Sequence, residues 1–130
     1  MTTPVKYEKN VLSDWLLFEE STGSRYSRKN VTVAADQNLG TGAVVGIDAS
    51  GNVVEYDNEV AVTAGGSAAV GILVMPVVTG AGETKPGVII NRFAKIAPKW
   101  LVWKTGLDNT GKTDGLADLL ALGITTVASV

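Results

Sequence analysis

The chain contains neither cysteine nor histidine. Without cysteine there is no disulfide, no thiolate nucleophile and no zinc–thiolate centre. Without histidine the Ser-His and Cys-His nucleophile pairs are excluded, together with the commonest transition-metal ligand. Catalysis, if any, would rest on carboxylates, lysine, tyrosine or backbone groups alone. Aromatic residues are scarce, at 6%, and prolines number four. No apolar run reaches the roughly 20 residues that a membrane-spanning helix needs. The N-terminus lacks the basic-then-apolar pattern of a secretory leader, because Glu8 and Asp14 interrupt it. The expected setting is a cytosol, or release from one by lysis. A net charge of −2 gives no sustained attraction to nucleic acid or to an anionic membrane. Arg25, Arg28 and Lys29 form one basic cluster, which reads as a solvated loop rather than a phosphate site.

What is present is small and apolar. Hydrophobic residues make up 45% of the 130 positions, mostly Ala, Val and Leu. The mean hydropathy is +0.21. This length suits one domain with a modest core. So apolar a domain has area to spare for a partner, which favours oligomers.

The stretch Ser67-Ala68-Ala69-Val70-Gly71-Ile72-Leu73-Val74 organises the rest. Bounded by Gly65-Gly66 and Pro76, it predicts a strand buried on both faces, running on through Val77-Val78. Gly42-Ala43-Val44-Val45-Gly46-Ile47-Asp48 echoes it. Glycines inside such strands mark a bulge or a close backbone approach. Neither stretch carries a group able to do chemistry, so both point to packing and assembly.

Residues 1–30 read as an arm and residues 31–130 as a β-rich domain. The arm holds an apolar patch, Trp15-Leu16-Leu17-Phe18, preceded by Val11 and Leu12. Val11, Leu12, Trp15 and Leu16 have helical spacing, and Ser13 or Asp14 is placed to cap a short turn. Polar residues from Ser21 to Asn30 tether the patch. Two placements stay open: the arm lies on a partner, or it packs on its own domain.

Further along, Val31-Thr32-Val33-Ala34 and Ala43–Asp48 predict strands, and Ala49-Ser50-Gly51-Asn52 a hairpin turn into Val53–Tyr56. Glu55, Asp57 and Glu59 alternate, which reads as a solvated strand edge, with a hard-cation site as the alternative. Thr79–Gly87 predicts a polar loop. A strand is expected from Val88 to Ile96, ended by Pro98. Trp100, Leu101 and Trp103 read as core or subunit-interface anchors. Asp114–Leu122 predicts a helix capped by Thr113 or Asp114 and stopped by Gly123, before a last strand at Ile124–Val127.

Gly106-Leu107-Asp108-Asn109-Thr110-Gly111-Lys112-Thr113 matches the phosphate-binding pattern G-x-x-x-x-G-K-[ST] letter for letter. There Lys112 would meet the β/γ-phosphates and Thr113 magnesium. Too little chain follows to build the parallel α/β unit that such a loop opens. A polar turn before a capped helix explains the same letters.

The order of elements resembles the head decoration protein family of tailed phages, of the phage lambda type. The resemblance is carried by Val31–Ala34, Leu39-Gly40-Thr41-Gly42-Ala43-Val44-Val45-Gly46 and Ala68–Leu73. It continues through Ala94, Leu101-Val102-Trp103, Gly106, Lys112, Ala117, Leu119 and Gly123-Ile124, so it spans Val31 to Val127. It implies a mainly β protein with one short C-terminal helix: a β-clip-like small domain behind an extended N-terminal arm. It implies a structural role without enzymatic activity or cofactor. The partners would be the major capsid protein and two further copies in a homotrimer, with no direct nucleic-acid or membrane contact. The location would be the outer capsid surface of the virion, reached from the host cytoplasm. Val5, Tyr7, Val11, Leu12, Trp15, Leu16, Leu17 and Phe18 would form the capsid-binding arm. A head-fibre or tail component is the alternative, and a nucleotide-binding protein the remote one.

Overall fold

Alternation along three neighbouring strands builds two cores back to back. The computed structural model describes residues 12–19, 27–59 and 65–127. A single turn, α1 (Leu12–Trp15), leads into β1 (Leu16–Glu19). There follow β2 (Arg28–Val33), β3 (Asn38–Leu39), β4 (Val44–Ile47), β5 (Val53–Glu55) and β6 (Gly71–Leu73). Next come β7 (Val77–Val78), β8 (Lys85–Ile90), β9 (Ala94–Ile96), a 3-10 turn at Pro98–Trp100, α2 (Asn109–Ala121) and β10 (Ile124–Thr126). The molecule is mainly β with one helix near the C-terminus, as the sequence predicts.

Strands β2, β5, β4, β6 and β8 close a barrel in that order. Successive side chains of a strand face opposite sides. Val45, Leu73 and Ile89 therefore enter one cluster, with Val33, Leu39, Val53 and Val77. Their neighbours Val44, Ile72 and Ile90 enter the other, with Trp15, Tyr56, Leu101, Leu119 and Ile124. All three residues of β6 are buried, as expected of a strand covered on both faces. The glycines follow the same logic. A Cβ on Gly71 would lie 2.6 Å from the Ile90 carbonyl oxygen, and one on Gly46 would lie 2.7 Å from the Gly66 Cα. Backbone approaches backbone at both positions, and any side chain would part the strands.

The second cluster is closed by a three-stranded sheet, ordered β1-β9-β10, and by α2. β1 runs antiparallel to β9, with Phe18 opposite Lys95 and Glu19 opposite Ala94, while β10 runs parallel to β9. β3 and β7 form a separate antiparallel pair.

Several predicted bounds shift. The central strand begins at Gly71, not Ser67. Left-handed Gly65 and Gly66 turn the chain, and the Ala69 N–H donates to the Asp118 carboxylate instead of a strand partner. Pro76 separates Val77-Val78, which pairs with β3. The strand expected over Val88–Ile96 is broken into β8 and β9 at Phe93, whose φ is 48°. The polar loop is shorter than Thr79–Gly87, because β8 starts at Lys85. Pro86 is tolerated there since β6 reaches only Ile89 and Ile90. The helix starts at Asn109, capped by Asp108 and not by Thr113 or Asp114.

Candidate functional site

Trp15 fixes the root of the N-terminal segment. It is 0% exposed, and its indole Nε1–H donates to Thr41 Oγ1 at 3.0 Å. Thr41 in turn donates to the Val74 carbonyl at 2.7 Å. A large buried aromatic ring with its one polar atom satisfied is a core anchor. Leu12 and Leu16 are half-buried against the same cluster. The next two side chains turn outward: Leu17 is 47% exposed and Phe18 53%. Val5, Tyr7 and Val11 lie outside the described residues.

A charged clamp follows. Arg28 Nε and Nη2 each donate to the Glu19 carboxylate at 2.9 Å, and Ser27 Oγ donates to it at 2.7 Å. The Arg28 hydrogen bond, against the cost of burial, holds the Glu19 carboxyl below the usual range. Arg28, which reads from sequence as part of a solvated basic cluster, is thus the partner of an acid nine residues upstream. No local spacing rule reveals such a pair.

The aromatic element divides. Leu101 is buried, and Trp103 is half-buried with its ring edge-on to Tyr56 at 6.1 Å between centroids. Trp100 is 40% exposed, with Lys99 Nζ 5.4 Å from its ring centroid.

Two adjoining grooves flank the β3–β7 pair. One, of about 470 Å³, is walled by Asp36, Asp48, Glu55 and Asp57, with Lys104 at its side. The other, of about 480 Å³, is floored by Leu39, Pro76, Val78 and Val102. Asn38 and Leu39 line both. Asp57 is paired with Lys104. Burial pushes the Glu55 carboxyl up, Lys104 offsets part of this, and the Asp57 charge adds to it. Among the described residues no three acidic side chains converge as metal ligands.

The segment Gly106–Thr113 builds a helix start. The Asp108 carboxylate accepts the Gly111 N–H at 2.8 Å, occupying an amide that a phosphate would need. The Tyr56 hydroxyl donates to the Gly111 carbonyl at 2.8 Å. Gly111 thus stands inside α2, not in a loop around an anion.

These features define a small β-barrel module in which Asp108 caps a helix and Glu19–Arg28 and Asp57–Lys104 form pairs. The chain belongs to a family described as bacteriophage lambda head decoration protein D, whose model matches residues 5–124. No match was found among curated proteins. The family is a structural one of the phage head, not an enzyme family, and its members sit on the virion capsid. Among the described residues no helix is long and apolar enough to cross a membrane.

Proposed function

We propose that the chain decorates the outside of the expanded capsid. In this reading three copies bind as a homotrimer at three-fold and quasi-three-fold positions, contact the major capsid protein and stabilise the shell. Nucleic acid and membrane are not partners, and no cofactor takes part. The supporting observation is the root of the arm. Trp15 is locked in the core while Leu17 and Phe18, on the outer strand β1, stand exposed beside it. An outer strand offers unpaired backbone groups as well as side chains, so a shell protein can dock by strand addition. The arm then has two parts. Residues 12–15 form the turn that seats Trp15 and residues 16–19 the outer strand β1, and residues 1–11 would supply further contacts to the shell.

Co-sedimentation with expanded and unexpanded shells tests the proposal. Saturable binding to expanded shells alone, at three copies per three-fold position, is expected. Removal of residues 1–11 should abolish or strongly weaken binding while the domain stays folded. Binding to neither shell, with label on a tail or fibre in virion images, would move the protein to the alternative structural role.

A further inference from the structure

Charge is sorted along this chain. From Asn30 to Thr84 there are six acidic residues and no basic one, and from Lys85 to Lys104 five basic residues and no acidic one. The two runs meet at Asp57–Lys104 and Glu83–Lys85, and elsewhere they supply different surfaces. The acidic run supplies Asp36, Asp48, Glu55 and Asp57 to one groove, which is continuous with the apolar floor of Leu39 and Val78. Of these acids, Asp57 is neutralised by Lys104, and Asp48 accepts the Ser50 and Asn52 N–H groups of its own turn. Among the described residues no hydrogen bond or ion pair reaches the carboxylates of Asp36 or Glu55. The basic run supplies a ridge on another sheet. Lys95 is the exposed middle residue of β9, and Arg92 lies 5.8 Å from the centroid of the Phe93 ring, itself 43% exposed. A cation stacked on an exposed aromatic ring is the kind of anchor that interfaces enrich.

We infer that the groove of one copy, acidic at Asp36 and Glu55 and apolar at Leu39 and Val78, receives the Arg92–Phe93–Lys95 ridge of the next copy. The inference rests on the trimer proposed above and names its surfaces. The occupant is a second copy because this chain itself carries the complementary charge and the apolar tip. Groove and ridge share no residue, so the contact is head-to-tail. Such contacts close into a ring when the rotation fits, and three copies close it here. Burying Phe93 on the apolar floor supplies attraction, and the charges fix register and reject the reversed pairing.

The absence of cysteine gives a clean test. A chain carrying Glu55→Cys and Lys95→Cys together, treated with a short bismaleimide, should give a covalently closed trimer. This is expected with the free protein or with protein bound to shells. Each single cysteine variant should stay a monomer on a denaturing gel. Asp36→Cys in place of Glu55→Cys gives an independent groove probe. In sedimentation, Glu55→Lys or Lys95→Glu alone should raise the self-association Kd about 10-fold or more, and the two together should recover most of it. Circular dichroism of each variant checks the fold. Lack of cross-linking by both groove probes in both settings would overturn the inference, as would a single variant cross-linking to itself. Failure of the wild type to sediment with shells would instead sink the capsid reading, and cross-linking of the free protein would still decide the ring.

Discussion

At the scale of single residues, the strongest constraints are steric and hydrogen-bonded. A methyl on Gly71 would meet a carbonyl oxygen of the neighbouring strand, which cannot swing away as a side chain can. Gly71→Ala should therefore cost about 1–3 kcal/mol in urea unfolding. Gly40→Ala, with nothing within 4 Å of the added atom, should stay within about 0.5 kcal/mol of wild type. Equal effects would show that backbone approach is not what selects glycine at position 71. That constraint was legible in the sequence, as glycine inside an apolar strand. The role of Tyr56 was not, because its partner Gly111 is 55 residues away. Burial, then the charges of Asp118 and Asp114, push its phenol up to about 12. Between pH 10 and 12 the unfolded chain releases this proton and the folded one keeps it, so stability falls as pH rises. The loss amounts to about 2–3 kcal/mol. Tyr56→Phe should cost about 1 kcal/mol near neutral pH for the lost hydrogen bond. Its deficit against wild type should shrink through pH 10–12. A constant deficit in parallel unfolding curves would refute the assignment.

At the scale of elements, ends were harder to read than kinds. Most strands fell near their predicted places because β-branched runs and glycine turns are local signals. The start of α2 was displaced because Asp108, Thr113 and Asp114 are all plausible caps, and only the three-dimensional bond from the Gly111 N–H selects Asp108. Asp108→Ala should cost about 1 kcal/mol, and Lys112→Ala almost nothing, in thermal unfolding. The N-terminal segment was ambiguous for a different reason. Its apolar patch fits a docking arm and a domain strand equally well in sequence, and only the fold shows that Leu16–Glu19 pairs with β9. Removing residues 1–11 leaves Trp15 and β1 in the chain and should cost less in thermal unfolding than a cut that takes them. Removing residues 1–19 deletes Trp15 and opens the core, a loss on the scale of a buried Trp→Ala change, about 3–5 kcal/mol. A truncation ending at Asn30 would also take the first half of β2, so its failure to bind shells would report unfolding rather than a lost contact. If both truncations melted alike, Trp15 would not be holding the segment in place.

At the scale of the whole molecule, two cores share one sheet wall, and charge is sorted along the chain. The first property was legible only in part. Continuous apolar runs at Ala43–Ile47 and Ala69–Val74 announce strands buried on both faces, but not what covers each face. The second can be counted from the sequence, yet it acquires meaning only when the fold turns the acidic run into a groove. Under the role proposed above, a protein of this size would act through numbers rather than through any single strong contact. In that role each copy binds the expanded shell and not its disrupted form. Each occupied site then adds RT ln(1 + [L]/Kd), about 2.7 kcal/mol when free protein is at 100 times Kd. Summed over a lattice, modest affinities give a large effect. Calorimetry of purified expanded shells should show a melting transition that climbs with the logarithm of free decoration protein, without a plateau at stoichiometric occupancy. A transition that stops rising once the sites are filled would mean that the protein remains bound to the disrupted shell. A transition that does not move at all would mean that occupancy and cementing are separate, and that the role on the capsid surface is something other than reinforcement.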